Sequence, residues 1–276
     1  MKNITSLLIA FTLALGGCSS VQTTKSGAVG VERKQYMLLS EQQVENLSSQ
    51  SYVQTLKQAE SKKALNTDLT ETARVRTIAQ RLIAQTGTFR PDALNWKWAI
   101  NVQESKEINA YCMAGGKIMV YTGLLDQIKP TDDELAAVMG HEMAHALREH
   151  SREQMSEAYA QQFGLLGLAA VVGITSKDSN KAGAALALGS TVTAVALTLP
   201  HSRRDEHEAD EIGLELAARA GYNPNAALTL WEKMGNAGGA KPPEILSTHP
   251  SDASRMDDIK RLIPTVMPLY EEAKKK

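Results

Sequence analysis

A chain of 276 residues is long enough to bury one sizeable core. A formal net charge of −1 and an isoelectric point near 6.6 provide no basic field, which excludes nucleic acid as an electrostatically recruited partner. No internal repeat emerges, and the chain has only two cysteines, Cys18 and Cys112.

The first segment, MKNITSLLIAFTLALGGCSS, starts with Lys2, continues through an apolar run from Leu7 to Leu15, and ends in small residues before Cys18. It resembles a bacterial lipoprotein signal. That resemblance implies a signal peptide over 1–17, acylation of Cys18, and sorting to the outer membrane because Ser19 rather than an aspartate follows. Several acyl chains would make the anchor stable, since one chain alone binds membranes only marginally. The protein would then face the periplasm, lipid-anchored, with no cysteine left to pair with Cys112, which reads as a buried strand residue. Residues 18–35 read as a lipidated N-terminus and flexible tether, because Ser20 to Val31 is polar and weakly patterned. A single domain is expected over 36–276.

Ser40 and Gln43 form a capping-box signal for a helix to about Lys63, and a second helix is expected from Glu71 to Gln85 with Val75, Ile78, Ala79, Leu82 and Ile83 on one face. Trp96, Trp98, Ile100 and Val102 alternate, as do Ile118 and Val120, with Gly115-Gly116 as a turn signal. These predict a small antiparallel sheet, with residues 117–121 as an edge strand to which an extended polypeptide could add itself.

Thr131-Asp132-Asp133-Glu134 is another capping box, and it opens a helix whose Leu135, Val138, Met139 and Ala146 recur at helical spacing. On that helix lies GHEMAHALREH, which holds three of the six histidines. His141 and His145 are four apart and therefore share a face, as a metal site requires. Glu142 projects beside them, where a carboxylate could take a proton from water. His150 fails as a third ligand. In the extended motif H-E-x-x-H-x-x-G-x-x-H, Arg148 stands at the glycine and Ser151 at the last histidine, so His150 comes one residue early and reads as a helix-surface or packing residue.

Phe163 to Leu199 contains an uncharged stretch of eighteen residues, AGAALALGSTVTAVALTL, long enough for a membrane span but rich in Gly, Ala and Thr. It reads as a helical hairpin packed on the protein or lying on a membrane surface. The next helix, in HSRRDEHEADEIGLELAARAG, is capped by Ser202 and ended by Gly221. Glu206 and Asp210 share one of its faces, so Glu206 could complete the metal site while Asp210 orients a histidine. Arg203, on the same side, could steady these carboxylates or a substrate carbonyl. Further on, His249 lies in a Thr-His-Pro turn before a helix capped by Ser251. It could occupy the open metal position or donate to a tetrahedral intermediate, with Arg255 stabilising the oxyanion. After Leu262 only Pro264, Pro268 and a charged tail are expected.

Taken together, H-E-M-A-H and S-R-R-D-E-H-E-A-D resemble the HtpX and CAAX-endopeptidase group of zinc metallopeptidases. NAYCMAGGKIMVYTGLL and STHPSDASR extend the resemblance over roughly residues 70–262, and Ala114 departs from the proline often found before the two glycines. The resemblance implies an α+β fold, a mainly helical zincin-like metallopeptidase domain with a small antiparallel sheet beside the H-E-x-x-H helix. It also implies one Zn2+ per chain on His141, His145 and Glu206, with Glu142 as general base. The implied activity is endopeptidase cleavage of misfolded or stalled envelope proteins, including outer-membrane β-barrel proteins and their assembly machinery. A periplasmic chaperone or assembly factor that retains the zinc fold is the alternative, and a lipoprotein scaffold with structural zinc is a third. An intact Glu142 favours the enzyme, because a structural site needs no base.

Overall fold

The computed structural model describes residues 19–161, 201–237, 243–249 and 253–275. The signal peptide, Cys18, the apolar stretch 163–199 and the Ser251 cap lie outside the described residues. Strand β1 (Ser19–Val21) pairs antiparallel with β2 (Gln35–Met37). Helix α1 (Glu41–Ser61) starts at Ser40 with both halves of the expected capping box, and α2 (Leu69–Ile83) starts at Asp68, whose side chain accepts from Thr70 N and Glu71 N. Val75, Ile78, Ala79 and Leu82 of α2 are buried, as their spacing requires.

A three-stranded sheet follows, built from β3 (Ala99–Gln103), β4 (Ala110–Met113) and β5 (Lys117–Tyr121). Its order is β3-β5-β4, with β3 parallel and β4 antiparallel to β5. The sheet is therefore mixed rather than antiparallel throughout, and 117–121 is its central strand rather than an edge. Alternation of apolar residues reports which face is buried; it carries no information about which strand lies alongside. The clearer sign was in β5 itself, where Lys117 to Val120 are all buried, as in strands covered on both faces. Gly115 and Gly116, at φ +73° and +78°, make the β4–β5 turn. β3 and β4 are therefore the two edges of the sheet among the described residues, and β4 packs beside the next helix.

That helix, α3 (Asp132–Leu147), is capped by Thr131 and Glu134 and is buried from Glu134 to Leu147 with the single exception of Ala137. It is the centre of the core. Each fully buried Leu or Met along it contributes about 1.5–3 kcal/mol. Glu149, at φ +56°, turns the chain out of α3 and into α4, helical over 150–161. Helix α5 (Arg203–Arg219) is capped by Ser202 as expected and crosses α3 backbone to backbone: a Cβ added to Gly213 would lie 2.7 Å from His141 N, and one added to Gly140 2.8 Å from Gly213 O. Two glycines at the crossing let the helices approach closely enough for their polar faces to meet. Helices α6 (Ala226–Ala237), α7 (Glu244–Thr248) and α8 (Ala253–Ala273) complete the fold.

Two expectations are corrected. Residues 20–35 are not a loose tether: Val31 is in the core and Gln35 is fully buried, its Nε2 donating to Arg148 O at 2.8 Å and to Glu153 Oε2 at 2.7 Å. The segment is polar because its partners are buried polar groups far along the chain, which local composition does not reveal. The end of the chain is also more ordered than a charged tail, since α8 continues through Pro264 and Pro268. Both prolines are exposed while Ile259 and Val266 are buried, so tertiary packing overrides a helix penalty of about 3 kcal/mol per proline. The class is α+β and mainly helical, as expected. Among the described residues no helix is long and apolar enough to cross a membrane.

Candidate active site

Where α3 and α5 cross, the two sequence motifs converge. His141 Nδ1 is 2.9 Å from Asp210 Oδ1, and Asp210 accepts from Arg255 Nε at 2.6 Å and Arg255 Nη2 at 2.7 Å. A carboxylate can only accept, so Asp210 takes a hydrogen bond from His141 Nδ1, which leaves Nε2 as the nitrogen that can hold a metal once its proton is displaced. His145 reaches the same state by a longer route. Its Nδ1 is 2.8 Å from His150 Nδ1, and His150 Nε2 is 3.2 Å from Glu208 Oε2. Glu208 must accept from His150 Nε2, which makes His150 Nδ1 an acceptor and His145 Nδ1 the donor. His145 Nε2 is then a lone pair.

With the Nε2 proton of His141 displaced, the two nitrogens would face each other as lone pairs at 3.1 Å and could not hydrogen-bond to one another. Glu206 closes the group, with Oε2 3.4 Å from His141 Nε2 and Oε1 3.5 Å from His145 Nε2. A divalent cation resolves this convergence of acceptors, and two imidazoles with a carboxylate are a donor set that fits one. His249 joins them, its Nδ1 2.9 Å from Glu206 Oε1 and 3.3 Å from His141 Nε2. The four buried residues offer ligand atoms within 4.8 Å of one another.

Burial works against charging His141, but Asp210 and Glu206 raise its pKa to about 9, so a cation must displace a proton there. Burial and the neighbouring His201 hold His145 well below the ordinary histidine value. Glu142 is raised by burial, with His249 and His141 pulling it partly back. Its Oε1 is buried without a hydrogen-bond partner; His249 Nε2 approaches it only to 3.5 Å. A cleft of about 270 Å³ opens onto this point, lined by Tyr111 and Met113 of the β4 edge, Glu142, His145, His201 and His249.

The structure thus brings together His141, Glu142, His145, Glu206, Asp210, His249 and Arg255. It does not bring Arg203, which is exposed at the first turn of α5; the guanidinium placed on Glu206 and Asp210 belongs to Arg255. Arg255 also lies over the Trp231 ring at 4.6 Å, so it braces carboxylates where an oxyanion contact was expected. His150 is fully buried and holds His145, a correction to its reading as a helix-surface or packing residue. The backbone turn at Glu149 is what swings it inward. His201 was missed altogether: it stacks on His145 with ring centroids 4.1 Å apart, and its position just before the Ser202 cap was the available signal.

Beside Asp210, Glu211 is half-buried near Glu208, and burial followed by these two carboxylates raises its pKa to about 7 from an ordinary 4.5. The folded state then binds the extra proton between those values, so stability contributed by this group falls as pH rises through that window. Glu211→Gln is expected to raise Tm by about 2 °C at pH 8 and not at pH 4, allowing for solvent screening. Thermal unfolding at both pH values decides it; the same shift at each would reject the linkage.

An H-E-x-x-H helix whose histidines meet a glutamate from a second helix defines a metallopeptidase centre. The chain belongs to Peptidase family M48, whose pattern matches residues 69–263. It is 38% identical to the bovine (Bos taurus) protein "Metalloendopeptidase OMA1, mitochondrial" over 185 residues, 63% of this chain and 34% of that one. It is 30% identical to "Metalloprotease LoiP" of Escherichia coli (strain K12) over 260 residues, 93% of this chain and 96% of that protein. With the "Beta-barrel assembly-enhancing protease" of Yersinia pestis it shares 28% identity over 188 residues, 67% of this chain and 37% of the relative. The matches to the bovine and Arabidopsis thaliana OMA1 proteins span about a third of those relatives' length.

Proposed function

We propose that the protein is a zinc-dependent endopeptidase of the bacterial cell envelope. In this reading it is held at the outer membrane by acylated Cys18 and cleaves misfolded or stalled envelope polypeptides, outer-membrane β-barrel proteins and components of their assembly machinery among them. The observation that carries the activity is Glu142: a buried carboxylate oxygen with no hydrogen-bond partner, beside a group of converging metal donors and in the wall of a cleft. A purely structural metal site has no use for such a group.

His141, His145 and Glu206 would hold the metal. When bound, zinc acts as a Lewis acid that makes water a nucleophile near neutral pH and polarises the scissile carbonyl. Glu142 accepts the proton of the attacking water at Oε1 and returns it to the leaving amine. Asp210 fixes the proton of His141 on Nδ1, and Arg255 holds Asp210 in place. An extended substrate is aligned by backbone hydrogen bonds to the β4 edge, which lets the site accept many sequences. The name of the Yersinia pestis relative and the lipoprotein-like signal before Cys18 together support the substrate class and location.

His249 supports a second element of this reading. It lines the cleft at the C-cap of α7, beside Glu142 and Glu206, and in this reading the enzyme is latent until His249 leaves that position. The rival assembly-factor reading draws on the same contact, since four protein donors close a metal site as structural centres are closed. The test is casein hydrolysis by the detergent-solubilised mature protein before and after removal of metal by a chelator. Cleavage is expected to vanish on stripping and to return when zinc is restored. Absence of cleavage by zinc-loaded wild type and by His249→Ala alike would sink the endopeptidase reading in favour of the assembly factor.

A further inference from the structure

We infer that the segment from Thr23 to Gln35 positions the metal ligand His145, through a relay that runs from Arg33 to Glu208 to His150. The inference rests on the metal site proposed above and adds residues that no local motif contains.

Glu208 is the hub. On one side it accepts from His150 Nε2 at 3.2 Å, and His150 Nδ1 in turn accepts a hydrogen bond from His145 Nδ1 at 2.8 Å. On the other it is gripped by Arg33, with Nε on Oε1 at 2.5 Å and Nη2 on Oε2 at 3.1 Å, and by Arg148 Nε at 2.9 Å. Arg33 also reaches Glu153 of α4 and Asp205 of α5, so one side chain ties together the helices on either side of the site. Arg148 is fully buried at the end of α3, and its guanidinium donates to Thr23 Oγ1 at 3.0 Å and to the Arg33 carbonyl at 2.9 Å. Gln35 and Thr23 donate back to the Arg148 carbonyl at 2.8 and 3.1 Å.

The segment is held independently at a second point. Gly27, at φ +64°, turns the backbone so that Ala28 N and Val29 N donate to Glu215 Oε2 at 2.7 and 3.0 Å. The hydrogen bonds of Glu215 go to Ala28, Val29 and Arg219 and to no member of the Glu208 hub, so the two attachments can be tested separately.

A largely buried group of two arginines and three carboxylates, in which only Arg33 is partly exposed, is a poor way to stabilise a fold, because desolvation consumes much of the Coulombic gain. What the group does achieve is direction. Each ligand histidine has its Nδ1 proton fixed by a partner that is itself fixed: Asp210 by Arg255, and His150 by Glu208 with its two arginines. Partners one step behind a metal ligand set ring orientation and typically change metal affinity about 10–100-fold when removed.

The experiment measures zinc affinity by competition with a chelator, and the visible spectrum of the cobalt-substituted protein, in wild type and four variants. His150→Ala is expected to weaken zinc binding by about 10–100-fold and Arg33→Ala by about tenfold, both with altered cobalt spectra. His150→Asn, which keeps an acceptor at the Nδ1 position but cannot reach Glu208, is expected to recover only part of the affinity and to stay about tenfold weaker than wild type, as Arg33→Ala does. Glu215→Gln is expected to lower Tm as Arg33→Ala does while leaving affinity and spectrum unchanged. Unchanged zinc affinity in folded Arg33→Ala, or an equal loss in Glu215→Gln, overturns the relay while the metal site stands. Wild-type protein that takes up no zinc refutes the metal site and the relay together.

Discussion

Glu142→Gln is expected to abolish peptide hydrolysis with zinc still bound at full stoichiometry. The amide preserves the volume of the carboxylate in a closely packed position but cannot accept a proton, so the variant removes general-base catalysis alone. That contribution is about 10²–10⁴-fold in rate. His141, His145 and Glu206 keep their geometry, because Glu142 hydrogen-bonds to none of them. Burial raises Glu142 above the ordinary carboxylate range and His249 and His141 moderate the shift, a direction that suits a base working near neutral pH. Casein hydrolysis with metal content measured on the same samples is the check. Wild-type activity in the variant would remove Glu142 from the mechanism.

His249→Ala is expected to raise turnover by about tenfold, on the arithmetic that a site competent for a tenth of the time becomes competent always. The basis is position: His249 Nδ1 lies 2.9 Å from Glu206 Oε1 and 3.3 Å from His141 Nε2, the space that attacking water requires. Three donors remain in the variant, and three protein ligands are what catalytic zinc sites use. Turnover and zinc stoichiometry measured together separate the possible roles. A fall in turnover with zinc retained would make His249 a donor to the transition state, and loss of zinc would make it a structural ligand; either overturns latency.

The parts of this protein legible in its sequence are those governed by short-range geometry. Ser40 with Gln43, Thr131 with Glu134, and Ser202 each cap a helix where expected, because a cap is a contact across three residues. His141 and His145 share a face because four residues nearly complete a helical turn, and Glu206 and Asp210 share one for the same reason. The four-residue rule did not find His150, which reaches His145 only because Glu149 leaves the helical region of backbone space.

By itself, then, the sequence determined the mainly helical class, the caps that start three helices, and which histidines and carboxylates share a helix face. Tertiary structure alone decided that β5 lies between β3 and β4, that Arg255 rather than Arg203 braces the carboxylates, and that Arg33 and Gln35 dock beneath the site. The physical reason is the same in each case. Helical periodicity and capping are fixed by neighbours a few residues away, whereas strand order, ion-pair choice and the docking of a polar segment depend on partners beyond that range, 45 residues apart for Arg255 and Asp210 and 113 for Gln35 and Arg148, or on which surface is left uncovered once the core has closed.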